Sequence, residues 1–114
     1  MNLQDIVDQL DLNPYTQGKP LNTIEPSGGY TSDLLSCVMA GAKQGNIWIT
    51  LQAHVNIVAV AALLDLSAVV ITEGAQPDTA TIERALEQNI TLLGTNQPSY
   101  LVAGKLWEMG LKSG

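Results

Sequence analysis

The sequence predicts an α/β fold whose parallel sheet is joined by βαβ crossovers. Two patterns predict it. Beyond residue 45, short apolar runs rich in Ile and Val alternate with helical patterns of about 10–12 residues, as in strands linked by crossover helices. The run at 68–72 is apolar at nearly every position, as in a strand covered on both faces. The length agrees. For 114 residues and 12.1 kDa, surface scaling gives about 6,000 Å² folded and about 17,500 Å² unfolded. That buries enough surface for a core without disulfide or metal staples.

The elements follow in order. Residues 2–10 place Leu3, Ile6, Val7 and Leu10 at i, i+3, i+4 and i+7, the spacing of an amphipathic helix. Residues 11–29 hold Pro14, Gly18, Pro20, Pro26 and the Gly28-Gly29 pair, a density that marks turns and extended chain, with one short strand near 21–24. Thr31 or Ser32 caps a helix running to about residue 43, with Leu34, Leu35, Val38, Met39 and Ala42 on one face. Asp33 falls in its first turn, where a carboxylate suits the helix dipole, and Gly45 stops it.

A strand at 46–51 carries Trp48 between Ile47 and Ile49, packed under a helix. A helix over 54–64 leads to the strand at 68–72 and the acidic turn at 73–78. The next helix, 79–88, turns Ile82, Ala85 and Leu86 inward. A strand at 91–93 enters the turn at 94–98, and the last helix, 99–109, ends at Gly110 with Leu106 and Trp107 in a core or an interface. One domain results: segment 1–24 leads into an α/β core at 25–114.

Charge narrows the function classes. Hydrophobic residues make up 46% of the chain and charged ones only 14%, against roughly 25% charged in an average soluble domain. The net charge is −6 and the pI about 4.3, which argues against nucleic acid and anionic membranes, since both need a basic footprint. So few charges coat a monomer poorly and imply a partner surface. The N-terminus has neither the basic nor the apolar region of a signal peptide, and the longest apolar run, 57–64, is far short of the ~20 residues that span a bilayer. A cytoplasmic protein is expected. The single cysteine, Cys37, excludes an internal disulfide framework and a Cys-rich metal site. Beside Leu34 and Val38 it reads as a buried thiol.

In open parallel sheets, ligands bind outside the carboxyl ends of the strands. Three loops lie there and supply the candidate ligand-binding residues: Thr50, Gln52, His54 and Asn56; Thr72, Glu73 and Gly74; Thr95, Asn96 and Tyr100. Each loop is rich in hydrogen-bonding side chains between nearly apolar elements. His54, the one histidine, stands where a helix start leaves N–H groups free; it reads as a ligand contact or general base, or as a helix-start residue bonded to a neighbouring loop. Gln52 and Asn56 read as ligand contacts or helix caps. Glu73 reads as a proton acceptor or a solvated turn acid.

Several chemistries lack their motifs. Gly18-Lys19 runs into Pro20 with no earlier glycine at P-loop spacing, no G-x-G-x-x-G follows a strand, and one histidine cannot form H-E-x-x-H. Glu73 stands alone among acids on the site loops, so an acid–base pair of carboxylates is missing. No catalytic residue, metal ligand or cofactor is expected. The helix at 55–64 is apolar nearly all round and must be covered on more than one side. Neighbouring helices could do this, or a second subunit approaching over Ala59, Ala61 and Ala62. A homodimer is the expectation.

The segments GGYTSDLLS at 28–36 and IWITLQAHVNIVAVA at 47–61 resemble a stand-alone DRTGG domain, over roughly residues 25–110. Ala53-His54 holds the position of the Asp-Arg pair, and Thr72-Glu73-Gly74 that of Thr-Gly-Gly. Similar domains occur within phosphotransacetylases and CBS-domain pyrophosphatases, and the fold resembles the N-terminal domains of HPr kinase/phosphorylase and of Mur ligases. The resemblance implies a non-catalytic regulatory or oligomerising module. Short relatives carry an HPr-kinase-like label and accompany iron-only hydrogenase and histidine-kinase-like genes, which implies a link to redox or carbon-metabolism signalling.

The expectation is a dimeric, non-catalytic regulatory module that binds a small-molecule or nucleotide ligand, or a regulatory protein partner, at the strand ends. Two alternatives stay open. One is a small enzyme with His54 as base, oriented by Glu73; the other is a protein–protein adaptor without a ligand.

Overall fold

Successive residues of the central strands point to opposite faces, and each face is buried by its own set of helices. The computed structural model describes residues 1–113. In chain order the elements are α1 (Leu3–Leu10), β1 (Asn13–Thr16), β2 (Gly28–Thr31), α2 (Leu35–Gly41), β3 (Asn46–Thr50), α3 (Asn56–Leu64), β4 (Ala68–Ile71), α4 (Thr79–Glu87), β5 (Leu92–Gly94) and α5 (Ser99–Glu108). The five strands form one sheet in the order β1-β5-β4-β3-β2. Strands β2 to β5 are parallel, as βαβ crossovers require, and β1 adds an antiparallel edge against β5.

Ile47, Ile49, Ala68, Val70 and Leu93 pack with Leu3, Ile6 and Leu10 of α1 and with Val102 and Leu106 of α5. The intervening residues Trp48, Val69, Ile71 and Leu92 pack with Val38, Ile57, Val58, Ala61 and Ala85 from α2, α3 and α4. Trp48 is fully buried, and its indole N–H donates to the Ser32 carbonyl at 2.8 Å, so its polar edge is satisfied. At the start of α1, Asn2 and Asp5 form a reciprocal capping box.

Two strands lie where the sequence reads as irregular, and both are edges. In β1, Pro14 is tolerated because an edge strand has a side without ladder bonds. The register shifts between Pro14 and Thr16, leaving Tyr15 at a bulge. Thr16 restores the pairing through its hydroxyl, which donates to the Ile90 carbonyl at 2.6 Å and accepts from the Leu92 N–H at 2.9 Å. On the opposite edge, the Gly29 N–H donates to the Lys112 carbonyl at 2.9 Å, so the C-terminal segment partly covers β2.

Other local expectations need correction. Residues 21–23 form a 3-10 turn in place of a strand, because the N–H and hydroxyl of Thr23 both bond to the Pro20 carbonyl, at 3.0 and 2.6 Å. Helix α2 starts only at Leu35, since Thr31 still belongs to β2, and Ser32 accepts from the Leu34 N–H at 3.1 Å in the intervening turn. The helix is short and seats Val38, with Ala42 at its end, on the core. Leu34 and Met39 therefore remain 61% and 43% exposed, and Cys37 is exposed as well. On α4, Thr81 and Ala85 face inward while Leu86 points out. On α5, Leu106 is buried and Trp107 is exposed, with the Lys112 ammonium 4.3 Å from its ring centroid. No described helix is long and apolar enough to cross a membrane.

Candidate functional site

The carboxyl ends of the parallel strands gather the polar loops on one side of the sheet. After β3, the organising residue is Asp33 from the turn behind β2. Its carboxylate accepts from the Thr50 hydroxyl at 2.9 Å and from the Leu51 N–H at 2.8 Å, and its carbonyl accepts from the Gln52 amide at 3.0 Å. Asp33 thus lies outside α2 and ties two strand ends together. Thr50 and Thr72 are fully buried, and the Thr72 hydroxyl bonds to the Thr50 carbonyl at 3.3 Å and pairs closely with the Ser99 hydroxyl.

The loops after β4 and β5 are knitted by backbone bonds. The Glu73 N–H donates to the Gln97 carbonyl at 2.9 Å and the Gly74 N–H to the Thr95 carbonyl at 3.1 Å. Both residues are left-handed, with φ of 61° and 75°. A glycine adopts that region most readily, so Gly74 is at ease there and Glu73 is not. Its carboxylate accepts from the Ser99 N–H at 2.8 Å and so caps α5.

Around α3 and α4 the arrangement is separate. His54 Nδ1 accepts from the Asn56 N–H at 3.3 Å, and both side chains are exposed. Asp78 caps α4 by accepting from the Thr81 N–H and hydroxyl, at 2.9 and 2.8 Å. These two bonds, the backbone one first, hold the Asp78 carboxyl below the ordinary carboxylate range, with a smaller pull from nearby His54. His54 and Glu73 are engaged with different groups, and no hydrogen bond links them among the described residues.

An open cavity of about 450 Å³ lies at the β1–β5 edge. It takes Gly74, Thr95 and Asn96 from the predicted residues and adds Asp11, Asn13, Tyr15, Gln76 and Gln97. Tyr15 lies over Gly94: a Cβ there would come within 2.3 Å of its ring. Beneath, the Gln97 side chain donates to the Leu10 carbonyl and accepts from the Lys105 ammonium, both at 2.8 Å. The predicted crest is therefore divided. Thr50, Gln52, Thr72 and Glu73 act in the bonding that joins the loops, Asn56 lines a groove between α3 and α4, and Tyr100 is 92% exposed. The missed residues Asp11, Asn13 and Tyr15 arrive on β1 and its approach, which no local pattern announces as a strand. Among the described residues, no three His, Cys, Asp or Glu side chains cluster as metal ligands do.

No protein-family model matches the sequence, and neither does any curated protein. Among solved structures, the chain is similar to the CBS and DRTGG domains of the regulatory region of Clostridium perfringens pyrophosphatase, determined in complex with its activator, diadenosine tetraphosphate. The TM-score is 0.69 at 21% identity, over 90% of this chain and 44% of that one. The likeness is one of fold, and it lends nothing to a kinase label: the chain has a mixed α/β fold like that of a CBS and DRTGG regulatory region.

Proposed function

We propose that this chain is a non-catalytic regulatory module that binds a small ligand at the strand ends. The observation that carries the reading is the polar cavity of about 450 Å³ at the carboxyl ends of β4 and β5, where open α/β sheets hold ligands. Support comes from the fold likeness to a regulatory region whose structure contains a nucleotide activator. The engagement of His54 and Glu73 in separate backbone hydrogen bonds favours binding over acid–base chemistry.

The reading includes a homodimer formed through α3. Ala59, Ala62 and Leu63 are exposed on this helix, Leu63 at 69%. They line an apolar groove of about 540 Å³ with Val55, Arg84 and Gln88. Neither α2 nor α3 carries a charged side chain, so a second copy covering this face meets a single lining charge, that of Arg84. A link to redox or carbon-metabolism signalling rests on the sequence resemblance alone.

Native mass spectrometry of the purified protein, followed by a thermal-shift screen of nucleosides, nucleotides and other small metabolites, tests both parts. A dimer mass with a retained or stabilising small molecule is expected. A 12.1 kDa monomer at high micromolar concentration would overturn the dimer, and the absence of any retained or stabilising molecule would overturn the ligand-binding module.

A further inference from the structure

We propose that the cavity at the β1–β5 edge takes an uncharged nucleoside and discriminates against its phosphorylated forms; this rests on the ligand-binding reading above. In open α/β sheets a phosphate is held by free N–H groups at helix starts and by basic side chains. Here carboxylates of the chain occupy those places. Asp78 takes the Thr81 N–H at the start of α4 and Glu73 the Ser99 N–H at the start of α5, while Asp33 takes the Leu51 N–H in the loop between β3 and α3.

No lysine or arginine lines the cavity. The five basic residues of the chain lie elsewhere. Lys19 lines a cavity with Gln44 and Asp65, Lys43 precedes β3, Arg84 lines the α3–α4 groove, and Lys112 lies over Trp107. Lys105 is absent from the lining, and its ammonium donates to the side-chain amide oxygen of Gln97. A phosphate would therefore meet the Asp11 carboxylate and side-chain amides with no lysine or arginine in the lining, and its desolvation would go unmatched.

What the walls do offer suits a base and a sugar. Asn13, Gln76 and Asn96 line the one cavity with exposed side-chain amides. Each presents a donor beside an acceptor, the pattern that pairs with a nucleobase edge. The Tyr15 ring, displaced by the bulge in β1, adds an aromatic wall. The Asp11 carboxylate at the rim can accept from ribose hydroxyls.

The test is a ¹⁵N–¹H NMR titration of the full chain with adenosine, guanosine, cytidine and uridine, each beside its 5′-monophosphate. We expect at least one nucleoside to shift Asn13, Thr95 and Asn96, with its monophosphate at least tenfold weaker. Asn96→Ala should weaken the nucleoside about tenfold, and Asn96→Lys should narrow or reverse the preference. A monophosphate binding the same residues as tightly overturns this inference and leaves the ligand-binding reading intact. A ligand that shifts only residues outside the cavity overturns both. No response to any of the eight compounds overturns the inference, and the native mass measurement then decides the broader reading.

Discussion

Asp33 and Thr50 join two neighbouring strand ends: the carboxylate of the first accepts from the hydroxyl of the second at 2.9 Å. Thr50 is fully buried, and the same carboxylate oxygen holds the Leu51 N–H at 2.8 Å. This pairing sets the course of the loop that carries Gln52 and His54, so the site side of the sheet depends on a residue that precedes α2.

Asp33→Ala should therefore destabilise the fold by about 1–2 kcal/mol, because a buried hydroxyl loses its charged acceptor. That corresponds to a fall of several degrees in Tm for a domain of this size. Asp33→Asn retains one acceptor oxygen and should lose less than half as much. Calorimetric scans of both variants check the order, and an unchanged Tm for Asp33→Ala would contradict it.

Glu73 is caught between two effects. Its carboxylate caps α5, which is worth about 1 kcal/mol, but its φ of 61° costs a non-glycine residue about 1–2 kcal/mol. Glu73→Ala loses the cap and keeps the strain, so it should be clearly destabilised. Glu73→Gly loses the cap and removes the strain, so it should unfold close to the unchanged protein. Urea denaturation of the pair measures the ranking; equal losses in both would show that the backbone term is negligible.

The Asp78 cap predicts a dependence on acid. Its folded pKa lies below the ordinary value of 3.8, so the unfolded state takes up the proton first. The contribution of the cap is fully present above the unfolded value and is lost as pH falls through the lower folded value. The Tm advantage of the unchanged protein over Asp78→Ala should thus be constant near neutrality and shrink between about pH 5 and about pH 2. An advantage independent of pH across that window would contradict a carboxylate cap.

His54 and Asn56 stand apart from the β1–β5 cavity. His54→Ala removes one long bond of 3.3 Å at an exposed site, so stability should change by no more than about 0.5–1 kcal/mol. Ligand affinity at the cavity should be unaffected. A tenfold loss of affinity with an unchanged Tm would place the binding site at α3 instead.

The sequence by itself determined the elements with strong local periodicity: α1, β3, α3, β4, α4, β5 and α5 all fall where the apolar spacing puts them. From these follow the βαβ crossovers and the side of the sheet on which the polar loops gather. It also marked Gly74, Thr95 and Asn96, which do line the cavity. Tertiary structure alone decided the edges. Pro14 and the Gly28-Gly29 pair deny β1 and β2 any local strand signal, and both form because a neighbour offers a ladder: Asn13 opposite Gly94, and Gly28 opposite Asn46. The same holds for the site. Asp33 reaches Thr50 and Tyr15 reaches Gly94 across long stretches of chain, so these pairings depend on the folded sheet and leave no trace in residue spacing. Leu34, Met39 and Leu86 show the converse: their spacing suits a buried face, but the core positions beneath α2 and α4 are already filled by Val38 and Ala85.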